Sequence, residues 1–232
     1  MTNHPGRELF ISSDNQLWVS SFDGLYRTSL KGLTPERAME TVFSGNPWTT
    51  SFTEDSFGNI WIGTYRNGTF CFHKNQTPFQ KSMSGKNIEC MSTDHSGNYW
   101  IGSLNGEVCV LDSTQKQIMG KTIFPNDMIH TICGQESSNK VWVGTMYGLY
   151  EAWIESNKQI VYQKTSGINI PSIRSIVQDS CFLWIASYNN GVTLYNYSTQ
   201  QSVVTYKTDS EVLPLPSNTI RTILKDRENN LL

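Results

Sequence analysis

The strongest constraint on this chain is a tryptophan-centred phrase that recurs along its length. The fullest copies are "DSFGNIWIGTYRNG", starting at Asp55, and "DHSGNYWIGSLNG", starting at Asp94. Five copies carry the tryptophan, with spacings of 43, 39, 42 and 42 residues: Trp18, Trp61, Trp100, Trp142 and Trp184. A sixth copy begins at "DRENNLL", where Leu232 takes the tryptophan position. A period near 42 residues indicates an array of identical supersecondary units.

Each unit contains four short apolar runs separated by turn residues. The first run reads "IHTIC" or "IRSIV", the second carries the tryptophan, the third reads "EVCVL" or "GVTLYNY", and the fourth reads "QIVYQK". No helical period of 3.6 residues appears, and β-branched and aromatic residues fill the runs. The sequence therefore predicts an all-β fold, a β-propeller of four-stranded antiparallel blades, with about five blades plus the start of a sixth.

The repeat boundaries predict a single partial β-propeller domain over residues 1–232. The expected repeats lie near residues 7–46, 47–86, 87–127, 128–170, 171–216 and 217–232. Because the last repeat stops inside its second strand, we expect an incomplete, open arc of a larger propeller. The outer faces of its terminal blades would lack neighbours, so the isolated chain is expected to oligomerise.

Most repeated polar and small residues have a structural interpretation. The acidic residues that begin the phrase, such as Asp55 and Asp94, recur once per blade and are expected to accept backbone N–H groups in the turn. Small residues two places after the tryptophan, such as Gly63 and Gly144, would allow neighbouring blades to approach closely. The repeated tryptophans themselves are expected in the core. Gly or Asn stands three residues before the tryptophan in the first four units, where a turn needs a positive φ. The fifth unit, "DSCFLW", is one residue shorter with Cys181 there, so a different turn is expected in that blade.

Composition excludes several classes of function. Charged residues make up 16% of the chain and the net charge is −2, so neither nucleic acid nor an anionic membrane is an expected partner. No apolar stretch has the length of a signal peptide or a membrane span, so no direct membrane insertion is expected of this chain. Five cysteines without a C-x-x-C pair favour buried thiols over zinc sites or disulfides. With no metal-ligand spacing of histidines and no nucleophile or phosphate-loop motif, we predict no catalytic residue, metal or cofactor.

The candidate binding residues are those that the repeat does not explain. One set follows the first apolar residue of each blade's first strand, which lies nearest the axis of a propeller. With Trp48 aligned to the first isoleucine of the other blades, this set comprises Thr49, Glu89, His130, Arg174 and Arg221. The others lie on the turns between the second and third strands and on the loops between blades, which emerge on one face. Aromatic rings beside amide, histidine and charged side chains suit a sugar, because a ring face covers C–H groups while polar groups bind hydroxyls. The candidates are Trp48, Tyr65, Arg66, Glu89, His130, Tyr147, Arg174, Tyr188, Asn189 and Arg221. A solvated rim with a few exposed aromatic residues is the alternative.

The phrases "LPSNTIRTILKDRENNLL", "DSFGNIWIGTYRNG" and "DHSGNYWIGSLNG" closely resemble the two-component regulator propeller repeat, across essentially the whole chain. The resemblance implies the periplasmic sensor region of a bacterial hybrid histidine kinase, which usually contains seven-bladed propellers. It also implies a receptor chain as partner, with the kinase module in a part beyond this chain, and detection of an oligosaccharide.

The function predicted from sequence is a non-enzymatic, ligand-sensing propeller fragment of a two-component receptor. Two alternatives from other classes remain open. One is a propeller lyase or glycosidase, which would need an acid–base pair with perturbed pKa values. The other is an architectural propeller that mediates protein contacts or a homodimer, which would need an exposed apolar patch.

Overall fold

The computed structural model describes residues 8–21, 23–31, 34, 38–44, 48–65, 67–73, 80–82, 87–112, 117–124, 126–226 and 230–231. Within these residues the secondary structure consists of strands, which form five four-stranded antiparallel sheets. In every sheet each strand pairs with its neighbour in sequence, as four runs joined by short turns require. The chain is an all-β propeller of five such blades, as the sequence predicts.

The strand bounds follow the repeat. Blade 1 comprises β1 (Glu8–Ile11), β2 (Gln16–Ser21), β3 (Gly24–Ser29) and β4 (Glu40–Ser44). Blade 2 comprises β5 (Thr49–Glu54), β6 (Ile60–Thr64), β7 (Gly68–Phe72) and β8 (Gln80–Ser82). Blade 3 comprises β9 (Ile88–Thr93), β10 (Tyr99–Ser103), β11 (Glu107–Leu111) and β12 (Gln117–Thr122). Blade 4 comprises β13 (Ile129–Gly134), β14 (Lys140–Thr145), β15 (Leu149–Ile154) and β16 (Ile160–Lys164). Blade 5 comprises β17 (Ile173–Asp179), β18 (Phe182–Ser187), β19 (Gly191–Asn196) and β20 (Gln201–Tyr206).

The chain divides into two compact units, residues 1–91 and 92–232, and the division falls within β9. In the first unit the inner strands of blades 1 and 2 bury a shared apolar cluster. Its buried members are Trp18, Leu25, Phe52, Ile60 and Ile62. Because strand side chains alternate between faces, each strand contributes every second residue to this layer.

The second unit has an equivalent cluster between blades 4 and 5. Its buried members are Trp142, Leu149, Ile168, Ile173, Ile176, Leu183, Ile185 and Tyr195. Gly144 lies where the two blades approach closely, because a Cβ atom built on it would lie 2.5 Å from Ile173 Cγ2 of blade 5 and 2.6 Å from Thr131 Cγ2 of blade 4. The expectation that small residues after the tryptophan permit close packing of blades is confirmed at this position.

The repeated aspartates hold their turns, as predicted from the sequence, and also bind the tryptophans. Asp94 accepts hydrogen bonds from the backbone N–H of Asn98 (3.0 Å) and from its side-chain amide (2.9 Å). Its Oδ2 also accepts the indole N–H of Trp100 at 2.9 Å. Asp55 makes the same bonds with Asn59 and Trp61. Each carboxylate therefore closes a turn and satisfies a buried indole donor.

Blades 4 and 5 depart from this pattern. In blade 4 the corresponding turn is one residue longer. The hydrogen bond that closes it runs from Gln135 N to Lys140 O, whereas in blade 3 the equivalent bond runs from Asp94 N to Asn98 O. Glu136 is exposed in this turn. The indole N–H of Trp142 has no hydrogen-bond partner among the described residues, and neither has the indole N–H of Trp18 in blade 1. In blade 5 a tighter turn has Ser180 at φ 54°, which agrees with the different turn predicted for that shorter repeat.

The segment after β20 carries the sixth copy of the pattern. Within its described part the only strand-type pairing is an isolated bridge between Lys225 and Leu231, so the expected first strand of a sixth blade is not formed as a ladder. The turn is nevertheless reproduced, because Asp226 accepts the backbone and side-chain N–H groups of Asn230 at 2.8 and 2.9 Å. Ile223 is buried, and its N–H donates to Ser175 Oγ at 3.2 Å.

The cysteines are free thiols, and Cys71, Cys90 and Cys109 are buried. Burial, with a smaller contribution from the charge of Asp55, raises the pKa of Cys71 to about 12. In the described parts of the chain we find no helix that is long and apolar enough to cross a membrane.

Candidate functional site

A β-bulge at the start of the first strand places the candidate residues of blades 4 and 5. In blade 4, Ile129 pairs with Thr145 and Thr131 pairs with Gly144, so His130 is the extra residue. In blade 5, Ile173 pairs with Ser187 and Ser175 pairs with Ala186, so Arg174 is the extra residue. A bulge disrupts the regular alternation of side chains and re-aims the extra one. These two candidates therefore depart from the regular alternation of side chains along their strands.

The two bulged side chains meet, although 44 positions separate them in sequence. Arg174 Nη1 lies 3.1 Å from His130 Nδ1. A guanidinium group can only donate, so His130 Nδ1 is the acceptor of this contact. The guanidinium carbon of Arg174 also lies 5.5 Å from the centroid of the Tyr188 ring, within the range of a cation–π contact. His130, Arg174 and Tyr188 form one cluster, here called the His–Arg–Tyr cluster.

Part of the cluster is buried and part is exposed to solvent. His130 is only 7% exposed, whereas Tyr188 is 41% exposed. Three apolar side chains on the loops of blade 4 are also exposed, namely Met128, Met146 and Tyr147. This combination of positioned polar groups with accessible ring and thioether surface is typical of sites that bind small organic ligands.

Asp127 fixes the blade 4 loops beside the cluster, and it is a residue that sequence reasoning missed. Its Oδ1 accepts the N–H of Met128 at 2.8 Å and that of Met146 at 3.0 Å, so one buried carboxylate joins the loop before β13 to the turn after β14. Burial and then the charge of Asp127 raise the pKa of Tyr150 above its usual value. An aspartate directly before the first strand was the available signal, because such residues often bind nearby backbone N–H groups.

Tyr147 and Asn189 lie on turns, as expected, whereas Arg221, which was expected on the first strand of a sixth blade, does not lie on a strand. Tyr147 lies on the turn between β14 and β15, and its carbonyl accepts Lys164 Nζ at 3.2 Å. Asn189 lies on the turn between β18 and β19 with φ 75°, and its Oδ1 accepts the Thr219 hydroxyl at 3.0 Å. Arg221 is exposed in the segment after blade 5.

In the first unit, the structure brings together Trp48 and Tyr65. Their ring centroids lie 5.3 Å apart, and Tyr65 N donates to Trp48 O at 3.0 Å. Trp48 is 40% exposed and has φ 46°, a conformation that few bulky residues adopt. Glu89 lies on β9 and is half-buried, and Arg66 lies outside the described residues.

The bulge of blade 2 corrects one alignment made from the sequence. Thr49 pairs with Thr64 and Ser51 with Gly63, so the extra residue of this blade is Thr50. The sequence had placed Thr49, one residue earlier, in register with Glu89 and His130. The error arose because Trp48 was aligned with the first isoleucine of the other blades, whereas Trp48 belongs to the loop. Thr50 is therefore a residue that the sequence analysis missed.

We find no group of His, Cys, Asp or Glu side chains in the described ranges that could hold a metal ion. The His–Arg–Tyr cluster offers hydrogen-bond donors, the positive charge of Arg174 and the aromatic surface of Tyr188.

A family model described as "Two component regulator propeller" matches residues 43–66, which include the strand and turn of the second tryptophan phrase. Residues 43–66 therefore carry one copy of the two-component regulator propeller repeat. No curated protein matches the sequence.

Solved structures with similar folds include proteins of several kinds. An auxiliary nutrient-binding protein from Bacteroides thetaiotaomicron has a TM-score of 0.77 and 14% identity, covering 97% of this chain and 65% of that protein. The extracellular domain of a hybrid two-component system from the same organism has a TM-score of 0.62 and 19% identity, covering 97% of this chain and 37% of that one. Virginiamycin B lyase from Staphylococcus aureus has a TM-score of 0.70 and 13% identity, covering 99% and 77%. The chain thus spans less than two thirds of the first two proteins, and these identities establish the propeller fold alone.

Proposed function

We propose that this chain is a ligand-sensing propeller of a two-component signal-transduction receptor, located outside the cytoplasm and, in a bacterium with two membranes, in the periplasm. The repeat family and the fold shared with extracellular domains of two-component systems support this proposal. The likeness to a nutrient-binding protein also favours binding over catalysis. The rest of the receptor, including its kinase module, would be the partner to which binding is communicated.

The proposed ligand is an oligosaccharide, bound at the His–Arg–Tyr cluster. The observation that carries this proposal is the contact between the bulged His130 and Arg174 beneath the exposed ring of Tyr188. Arg174 offers donors for hydroxyl or carboxylate oxygens, and the Tyr188 ring offers a face for sugar C–H groups. A ligand held there would contact blades 4 and 5 together, so binding could favour one arrangement of the two blades over another.

Titration calorimetry of the whole chain with a panel of neutral and uronate-containing oligosaccharides tests the proposal. For a ligand that binds, Arg174→Ala should weaken affinity roughly ten- to hundredfold, because a hydrogen bond from a charged group contributes about 1.5–3 kcal/mol. Tyr147→Ala should weaken it as well if the ligand extends over blade 4. Lys31→Ala, which removes an exposed cation of blade 1, is the matched control and should leave affinity unchanged. Unaltered binding by both the Arg174 and the Tyr147 variants would eliminate this face as the site.

A second candidate function, protein contact or homodimerisation, has its own supporting observation. Apolar side chains of blade 5 and the following segment are well exposed: Val203 is 57% exposed, Val212 71% and Leu213 70%. Light scattering after size-exclusion chromatography tests this alternative. A wild-type dimer that Val203→Thr and Val212→Thr convert to monomer would support it, and a monomeric wild type would dismiss it. The similarity to a lyase extends only to the fold and assigns no reaction to this chain.

A further inference from the structure

A cleft of about 210 Å³ opens in the second unit, and none of the residues of the His–Arg–Tyr cluster lines it. One wall is a row of cross-strand neighbours on blade 4, in which Trp142 pairs with Glu151 and Glu151 with Gln163. The opposite wall includes Tyr197 and Gln200, at the turn between β19 and β20 of blade 5. The cleft therefore lies between the outer parts of two adjacent blades.

The cleft is lined by Trp142, whose buried indole donor, like that of Trp18 in blade 1, lacks the acceptor that blades 2 and 3 provide within their own turns. The indole N–H groups of Trp61 and Trp100 donate to the aspartates of their turns. Trp142, which is 4% exposed, has no such acceptor among the described residues, because the longer turn of blade 4 places no carboxylate there. The buried hydroxyl of Thr165, another lining residue, also lacks a hydrogen-bond partner in the described chain. Buried polar groups normally have partners, so these two call for one from outside the protein.

The charges that line the cleft argue against an ionic ligand. Glu151 accepts Lys140 Nζ and Gln135 Nε2, each at 2.9 Å, so its charge is balanced within blade 4. An anion entering the cleft would still meet this carboxylate beside the Trp142 ring. A cation would meet Lys164, which lines the same cleft. Neither an anionic nor a cationic ligand would therefore meet a lining of purely opposite charge.

A neutral polyhydroxylated ring fits the lining better. Hydroxyl groups both donate and accept, which matches a mixture of amide, hydroxyl, carboxylate and indole groups. The rings of Trp142 and Tyr197, with centroids 5.3 Å apart and tilted by 50°, supply an aromatic surface for C–H groups. The volume is smaller than the roughly 300–1,000 Å³ of a site for drug-sized molecules, which limits the occupant to about one ring.

We propose that this cleft is a second binding site, which takes a single neutral polyol ring such as a monosaccharide or a cyclic polyol. The occupant accepts the Trp142 indole N–H and touches both blades 4 and 5. The proposal does not depend on the His–Arg–Tyr cluster, whose residues do not line the cleft.

The test uses the intact chain labelled with ¹⁵N, in which the indole N–H signal of Trp142 is assigned by its loss in Trp142→Phe. D-glucose, D-galactose and myo-inositol are titrated separately into the millimolar range. We expect a saturable shift of the Trp142 signal with at least one of them. Gln163→Ala should weaken that binding by about fivefold, since one hydrogen bond is lost from the cleft. Gln201→Ala, an exposed glutamine outside the cleft, should have no effect.

Several outcomes would overturn the proposal. An indole signal that does not move with any of the three polyols means that the cleft holds water only. A larger shift with sodium acetate than with the polyols means that the site binds anions. Arg174→Ala distinguishes this site from the proposed sensing site: it should leave the Trp142 shift intact, and loss of the shift in that variant would place the polyol at the His–Arg–Tyr cluster instead.

Discussion

Replacing Asp94 by alanine tests the physical basis of the repeat. The carboxylate of Asp94 accepts two hydrogen bonds from Asn98 and one from the indole of Trp100. Trp100 is fully buried, so its N–H would be left without an acceptor, which costs about 2 kcal/mol; losing the bonds to Asn98, nearer solvent, costs about 1 kcal/mol more. We therefore expect Asp94→Ala to lower the free energy of unfolding by about 3 kcal/mol.

Urea unfolding followed by circular dichroism measures this loss, and a double-mutant cycle isolates its indole component. In a Trp100→Phe background the indole donor is absent, so Asp94→Ala should cost only about 1 kcal/mol there. Asp209→Ala removes an exposed aspartate of the same unit and should change stability by less than about 0.5 kcal/mol. The reasoning fails if the cost of Asp94→Ala is the same with phenylalanine at position 100 as with tryptophan.

Two further predictions concern packing and ionisation. Gly144→Ala should destabilise the chain by about 1–3 kcal/mol in urea unfolding, because the added Cβ would overlap Ile173 and Thr131. The same change in an Ile173→Ala background should cost less. An equal cost in both backgrounds would contradict the steric explanation. Burial holds the pKa of Cys71 at about 12 in the folded chain, against 9.0 for an ordinary thiol, so the unfolded chain releases this proton first as the pH rises. The stability that Cys71 contributes should therefore be complete below pH 9.0 and decline between pH 9.0 and about 12; parallel pH profiles of unfolding free energy for wild type and Cys71→Ala would contradict this.

The blades and their turns could be predicted from sequence because they depend on neighbours along the chain. Strand alternation, the glycine and asparagine turns and the role of Asp94 are all set by residues within a few positions of one another. Each repeat also presents the same pattern, so an error in one copy is visible against the others. The different turn of blade 5 was predicted for that reason, from a single missing residue.

The candidate site could be predicted only as a set of residues on loops and strand starts. The sequence selected His130, Arg174 and Tyr188, but it contained no sign that the first two touch or that both are bulged. A bulge is a property of two paired strands, and its position depends on which residues of the partner strand stand opposite. The same reason explains why Thr49 was selected in place of Thr50.

The sequence by itself determined an all-β array of repeated four-stranded blades, because hydrophobic periodicity and turn chemistry act locally. Tertiary structure alone decided which of the exceptional residues meet, as in the contact between His130 and Arg174 over a separation of 44 positions. It also left the indole of Trp142 without an acceptor beside an open cleft, whereas those of Trp61 and Trp100 are satisfied. The first outcome follows from the packing of one blade against the next, and the second from the added residue in the blade 4 turn, which changes which polar groups find partners.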